Sequence, residues 1–361
     1  MGTKTRVLVV DDSIFFREFM SRSLSEVPTF EIVGVASDAF EAQKMVQNLR
    51  PDVITLDIEM PKMRGTDFLR HIRPRYPNVQ VVVISSVSGI VFEALQAGAV
   101  DFVAKPNSQL KLDNAAFIRE VVQKIQIAAS AAKTKSIVRT QPLPPTRQQQ
   151  PMPAPKTPPA RNMFMGSVIF KNPRTVIAIG ASTGGTEAIL AVIKDLPTNT
   201  PGIVIVQHMP PVFTKMYAER LDKVCKIAAK EAEHGDRVEP GRALIAPGGD
   251  RQMRVKKDVR GYYVELSAGE KVSGHCPSVD VMFESVANTA GKDAVGVILT
   301  GMGADGAKNL LAMKKKGAYT IGQDQESCVV YGMPMVAYNL GGVTDQLPLN
   351  GIGEAIIRKL T

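Results

Sequence analysis

Short runs of apolar, β-branched residues alternate with helical patterns through the first third of the chain. The runs fall at 6–10, 31–36, 53–56, 79–85 and 101–104. Each is apolar throughout instead of alternating, which predicts strands covered on both faces by helices. Five such strands separated by helical stretches predict a doubly wound parallel sheet. The same alternation resumes later, at 175–179, 202–206, 243–246, 295–300 and 318–321. One pair of runs differs. Residues 252–257 and 262–266 flank a polar turn at 258–261 and predict an antiparallel hairpin inserted in the second sheet. The second half is therefore also α/β, and not a copy of the first.

Composition changes sharply between the two halves. In 141–160, 8 of 20 residues are proline, mixed with Gln, Thr, Lys and Arg. Such a stretch predicts an extended, polyproline-like tether, and an Ala-rich helical tail at 118–132 precedes it. A chain of 361 residues exceeds what one compact core usually takes. The expected organisation is a first domain over 1–128, a flexible Pro- and Gln-rich basic linker over 129–168, and a second domain over 169–361. The net charge of +9 raises the question of a nucleic-acid partner. The charge is not on a domain, however. Residues 1–128 hold 15 basic and 15 acidic side chains, 129–173 hold 7 and none, and 174–361 hold 22 and 20. A basic tether is not a basic face, and no nucleic-acid partner is expected. No apolar run is long enough to cross a bilayer, and the first residues lack a signal peptide's apolar stretch. A cytoplasmic protein with no direct membrane insertion is expected. Its three scattered cysteines form no Cys-x-x-Cys pair and fit a reducing compartment.

Active sites of doubly wound sheets lie beyond the carboxyl ends of the strands. There the first domain carries Asp11 and Asp12, Asp57, Ser85 and Ser86, and Lys105 followed by Pro106. Three carboxylates converging on one crevice repel one another unless a hard cation joins them, and Mg²⁺ favours such oxygen ligands. Asp57 held in this way is placed to attack a phosphoryl group and form an acyl phosphate. Lys105 would neutralise the new charge, and a serine hydroxyl would sense it. An Asp-Asp pair after a strand, taken alone, reads as a helix N-cap; four strand ends bearing such groups together do not. The segments Val-Leu-Val-Val-Asp-Asp-Ser, Asp57-Ile-Glu-Met-Pro and Ala104-Lys105-Pro106 resemble the response-regulator receiver family, whose sheet is flavodoxin-like. The resemblance implies that Asp57 is the phosphoacceptor and that Asp11, Asp12, Asp57 and the backbone of Glu59 hold Mg²⁺. It also implies that Ser85 is the switch hydroxyl and Lys105 the family's lysine. The stretch 86–95 is shorter than that family's usual loop and helix start.

In the second domain the first strand runs into Gly180-Ala-Ser182-Thr-Gly-Gly185. A dinucleotide-binding loop is excluded, because Ser182 replaces the middle glycine of Gly-x-Gly-x-x-Gly. A purely structural glycine turn and a nucleophile elbow, Gly-x-Ser-x-Gly, both remain open. A nucleophile requires a base, and only four histidines exist. His71 lies on a helix among arginines and His234 in an exposed turn. His275 precedes a helix and is placed to line a site. His208 ends the second strand, beside the one that carries Ser182. An orienting carboxylate is available at Asp305, on the glycine-rich loop after another strand. Each residue has a structural reading of its own: glycine turn, strand-end histidine, helix cap. Together they form a triad in which Ser182 attacks, His208 accepts its proton and Asp305 orients the imidazole. The chain order Ser, His, Asp and an elbow that opens the domain exclude the α/β-hydrolase fold.

The second domain also contains Gly-Ala-Ser-Thr-Gly-Gly-Thr-Glu-Ala, Gln-His-Met-Pro, Glu-Ala-Glu-x-Gly-Asp-Arg-Val, Ile-Ala-Pro-Gly, Pro-Ser-Val-Asp, Leu-Thr-Gly-Met-Gly-x-Asp-Gly and Cys-Val-Val-Tyr-Gly-Met-Pro. In this order they resemble the catalytic domain of the chemotaxis protein-glutamate methylesterases, from about 174 to 359. The resemblance implies a Rossmann-like serine hydrolase that needs no cofactor. It would cleave glutamate γ-methyl esters on chemoreceptor cytoplasmic helices and deamidate receptor glutamines. The backbone N–H groups of Thr183 and Met302 are the candidate oxyanion donors. The chemotaxis histidine kinase would supply the phosphoryl group, and the unphosphorylated receiver would cover the hydrolase mouth. The rival reading is a non-enzymatic regulator whose second domain binds a phosphorylated ligand or partner. Such a module needs the glycines but not His208 and Asp305. A DNA-binding output lacks a basic helix-turn-helix pattern.

Overall fold

The computed structural model describes residues 3–86, 88–106, 113–140 and 168–361. The proline-rich stretch at 141–160 lies outside them. The first sheet contains β1 (Thr5–Val10), β2 (Phe30–Ala36), β3 (Val53–Asp57), β4 (Gln80–Ser85) and β5 (Asp101–Ala104), all parallel, in the order β2-β1-β3-β4-β5. Helices α1 (Ile14–Ser25), α2 (Ala39–Leu49), α3 (Gly65–Ile72), α4 (Ser88–Gln96) and α5 (Asn114–Thr140) connect and follow the strands. Strands β3, β4 and β5 are buried along their whole length, as their unbroken apolar runs require. The helical tail extends further than the alanine-rich stretch suggested, through 27 residues.

The second sheet has seven parallel strands. They are β6 (Val176–Ala181), β7 (Ile203–Gln207), β8 (Ala228–Glu231), β9 (Arg242–Ile245), β12 (Ala294–Ile298), β13 (Tyr319–Gln323) and β14 (Asp345–Leu347). Their order is β14-β13-β12-β6-β7-β9-β8. The chain thus starts in the middle at β6, winds outward one way, then returns to the other flank of β6 through β12. Ligand crevices of open sheets form at such a reversal, outside the carboxyl ends of the strands. Here the reversal puts the ends of β6, β7 and β12 side by side. The expected hairpin is β10 (Arg251–Asp258) with β11 (Gly261–Ala268), antiparallel and closed at Asp258 and Gly261. Met253, Val255, Tyr262 and Val264 face inward from it, the period of two that a half-buried hairpin needs. The helices are α6 (Gly185–Ile193), α7 (Phe213–Val224), α8 (Val279–Thr289), α9 (Ala307–Lys315), α10 (Met333–Asn339) and α11 (Leu349–Leu360). Among the described residues, no helix is long and apolar enough to cross a membrane.

The two domains touch. One apolar cluster runs from Leu69, Phe92 and Phe102 of the first into Phe213, Tyr217 and Ile179 of the second. Phe92 of α4 stacks on Tyr217 of α7 at 5.6 Å between ring centres, and Phe102 of β5 meets Phe213 at 4.7 Å.

One close approach fixes the geometry of the reversal. A Cβ on Gly180 would lie 2.2 Å from Cγ1 of Val279, the first residue of α8. Gly180→Ala should therefore destabilise the protein by about 1–3 kcal/mol, the usual cost of overpacking. With Val279→Ala in the same chain, the loss should be smaller than the sum of the two single losses. Urea unfolding of the four proteins measures this coupling, and additive losses would refute it.

Candidate active site

Ser182 occupies the turn between β6 and α6, and its N–H donates to the carbonyl of Thr300 at 3.0 Å. The loop after β12 is pressed against it: a Cβ on Gly301 would come within 2.8 Å of Ser182 Cβ. Thr183 follows Ser182 and Met302 follows Gly301, so the two residues expected to offer oxyanion donors stand on adjoining loops. His208 follows β7, and its N–H donates to the carbonyl of Ala181 at 3.2 Å. Three strand ends thus bring together the residues that the sequence separated by up to 123 positions (305 − 182).

The polar contacts assign the imidazole. His208 Nε2 lies 2.8 Å from Asp305 Oδ2. An ionised carboxylate only accepts, so in the neutral ring Nε2 carries the hydrogen and Nδ1 is the basic nitrogen. Nδ1 is buried and has no hydrogen-bond partner among the described residues. Asp305, itself 1% exposed, accepts three further bonds. They come from the Ser278 hydroxyl at 2.7 Å, the Val279 N–H at 2.8 Å and the Asp280 N–H at 3.0 Å. Burial alone would raise its pKa. The donors, His208 foremost, outweigh burial and hold the carboxyl below its ordinary value. Its position at the start of α8 adds the favourable end of a helix dipole.

His275 lies face to face on His208, with ring centres 3.6 Å apart and planes 11° from parallel. The other two histidines are elsewhere: His71 contacts Gln43 and Arg75, and His234 contacts the backbone of Leu266.

The first domain gathers its predicted groups at the carboxyl ends of β1, β3, β4 and β5. Asp11, Asp12 and Asp57 each offer an oxygen within 4.8 Å of the others, a hard donor set that fits Mg²⁺. Lys105 Nζ is 2.6 Å from both Asp11 Oδ2 and Asp57 Oδ2. Burial opposes the charge on Lys105, but the two carboxylates raise its pKa. Burial raises the pKa of Asp11 against the pull of Lys105. The N–H of Glu59 donates to Asp57 Oδ1 at 3.0 Å, and Ser85 is buried at the end of β4.

A family model described as CheB methylesterase matches residues 177–356, and one described as response regulator receiver domain matches 7–117. A protein from Syntrophomonas wolfei named protein-glutamate methylesterase/protein-glutamine glutaminase 2 is 51% identical over 355 residues, spanning 98% of this chain and 97% of its own. A protein-glutamate methylesterase/protein-glutamine glutaminase from Syntrophotalea carbinolica is 44% identical over 100% of this chain and 99% of its own. This chain belongs to the protein-glutamate methylesterase family. The crystal structure of the Thermotoga maritima CheB methylesterase catalytic domain is 39% identical and covers 51% of this chain and 98% of its own, with a TM-score of 0.50.

Sequence reasoning toward this methylesterase family missed the groups that surround Asp305. Ser278 had a legible signal, since Pro-Ser-Val-Asp is an N-cap ahead of a helical run. Gln207 also went unnoticed, although its amide donates to the carbonyls of Ser182 and His208 at 2.9 and 3.2 Å. Two further residues come from the receiver itself. Asp101 Oδ2 accepts from the Thr183 hydroxyl at 2.6 Å and from Lys124 Nζ at 2.6 Å. No sequence signal identifies a contact between domains.

Burial, and then His208, lowers the pKa of His275 from 6.5 to about 4, against the pull of Asp305 and with Lys124 and Lys271 adding to the shift. As pH falls, the unfolded chain therefore binds this proton first. The stability owed to a neutral His275 is complete above 6.5 and is lost as pH falls toward and through about 4. His275→Phe keeps a ring on His208 and should flatten the fall in stability across that window. Urea midpoints at stepped pH test this, and parallel curves for the two proteins would contradict it.

Proposed function

We propose that this chain hydrolyses glutamate γ-methyl esters on the cytoplasmic helices of chemoreceptors and deamidates receptor glutamines, with both reactions controlled by phosphorylation of Asp57. The observation that carries this reading is the buried His208–Asp305 pair beside Ser182, in a chain that matches named methylesterase/glutaminases along its whole length.

The Ser182 hydroxyl attacks the γ-carbonyl carbon and gives its proton to Nδ1 of His208. Asp305 stabilises the resulting imidazolium through Nε2. The carbonyl oxygen becomes an oxyanion between the N–H groups of Thr183 and Met302. Collapse breaks the bond to the leaving oxygen, which takes the proton from His208 and departs as methanol. A glutamine would release ammonia by the same route. Water, deprotonated by His208, then attacks the acyl-serine, and glutamate and free Ser182 result. Neutral imidazole is required at the start of both halves, and the Asp305 contact leaves Nδ1 free for both. A ligand-binding regulator would have no use for this pair.

In the receiver, Asp57 takes the phosphoryl group from a chemotaxis histidine kinase. Asp11, Asp12, Asp57 and the backbone of Glu59 would hold Mg²⁺, which when bound offsets the charge of the incoming group. Lys105 would then trade its Asp57 contact for the phosphoryl oxygens, and the Ser85 hydroxyl would follow them.

Methanol release from methylated receptor membranes, with and without a small-molecule phosphodonor, tests the whole reading. Ser182→Ala should remove activity by a factor on the order of 10⁶ while the protein stays folded. His208→Gln should be nearly inactive, and His71→Gln and His234→Gln should retain most activity. Turnover by Ser182→Ala would sink the mechanism.

Asp57→Asn should keep the resting rate but lose all response to phosphodonor. Phosphoryl incorporation that survives in this variant would assign the acceptor to another carboxylate.

A further inference from the structure

The receiver does more than cover the site with apolar side chains. Asp101 begins β5 and is only 8% exposed, yet every one of its contacts is built. Its Oδ1 accepts from the N–H of Phe102 at 2.9 Å, and its Oδ2 accepts from Lys124 and from the hydroxyl of Thr183, each at 2.6 Å. Thr183 is 2% exposed, belongs to the other domain and is the residue directly after Ser182. A carboxylate has therefore been brought from one domain to the serine turn of the other and sealed there.

We propose that the hydroxyl of Thr183 forms a subsite for the γ-carboxyl group of the glutamyl substrate, and that the resting receiver fills this subsite with its own carboxylate, Asp101. The inference rests on the methylesterase reading, because it takes the reacting group to be a glutamyl γ-carboxyl. An aspartate side chain ends as the glutamate product does, in a methylene and a carboxylate, and is one methylene shorter. It is thus a product mimic carried by the chain itself. Occupancy is one consequence. Charge is the other: a carboxylate on Thr183 opposes growth of an oxyanion at the neighbouring N–H, in a setting too dry to screen it. Lys124 offsets part of that charge and makes its burial tolerable. The domain boundary next to the contact is not fully filled. A cavity of about 310 Å³ lies beside it, lined by Arg73, Gly98 and Val100 of the receiver and by Gly184, Thr186 and Glu187 of the second domain. Arg73 donates to the carbonyls of Gly98, Pro77 and Val79, and Glu187 accepts from Arg220.

The experiment uses the full chain and methylated receptor membranes, with and without phosphodonor. Asp101→Asn keeps the shape and removes the charge. It should raise the resting rate about tenfold, in line with losing one charge-assisted hydrogen bond, and leave the phosphorylated rate unchanged. Thr183→Val should lower phosphorylated kcat/KM about tenfold or more, and Thr183→Ser, which restores the hydroxyl, should recover most of it. Phe92→Ala controls for general loosening of the interface. If Asp101→Asn rests as low as the wild type while Phe92→Ala is activated, apolar cover alone inhibits and the proposal fails. It fails equally if Thr183→Val keeps full phosphorylated activity. Absence of methanol release by the phosphorylated wild type would instead overturn the methylesterase reading itself.

Discussion

The negative charge of Asp305, withdrawn from water, sets the terms for the rest of the second domain. An unpaired carboxylate in such a place is costly by several kcal/mol. Here two N–H groups, one hydroxyl and one imidazole meet its two oxygens. To supply three of these donors, α8 must begin at the carboxylate, and that brings Val279 against β6 so closely that only glycine fits at position 180. To supply the fourth, His208 must present one particular nitrogen. The helix start and the histidine tautomer thus both follow from solvating one ion with protein.

A second constraint runs through β5. This strand of four residues has Lys105, bonded to Asp57, just beyond its carboxyl end and Asp101, bonded to Thr183, at its amino end. At roughly 3.3 Å per residue the two ends are only about 13 Å apart. Phosphorylation of Asp57, as proposed, would therefore act on the same short backbone segment that holds the serine turn at the other end. Phe102, next to Asp101, packs on Phe213 across the boundary, so displacement of the strand disturbs polar and apolar contacts together. Phe92, on α4 within the stretch 86–95, makes the other aromatic contact.

Much of this arrangement was legible in the sequence, for identifiable reasons. Fully buried parallel strands write themselves as unbroken apolar runs, and all ten runs that stand alone became strands. The strands that went unseen, β8 and β14, lie at the two edges of the second sheet, where half-exposed Lys230 and exposed Gln346 erase the pattern. Ser182, His208 and Asp305 were found because each follows a strand, and doubly wound sheets gather such ends. Their hydrogen-bond directions were not readable: nothing in the order Gln-His-Met-Pro says which imidazole nitrogen faces the acid. Nor does a sequence announce which surface of one domain meets another. Asp101 reads as an ordinary first residue of a strand until Thr183 is seen beside it.

If the receiver restrains the hydrolase as proposed, their union in one polypeptide has a quantitative consequence. A separate inhibitor protein would have to match its target in abundance, and the fraction of enzyme restrained would drift with every fluctuation in synthesis. Here each copy brings its own restraint, in fixed proportion. A cell that doubles expression doubles both the restrained and the released pools and leaves their ratio untouched. Under the proposed control through Asp57, that ratio would depend only on the supply and lifetime of phosphoryl groups there, which would make the signal, and not the copy number, the controlled variable.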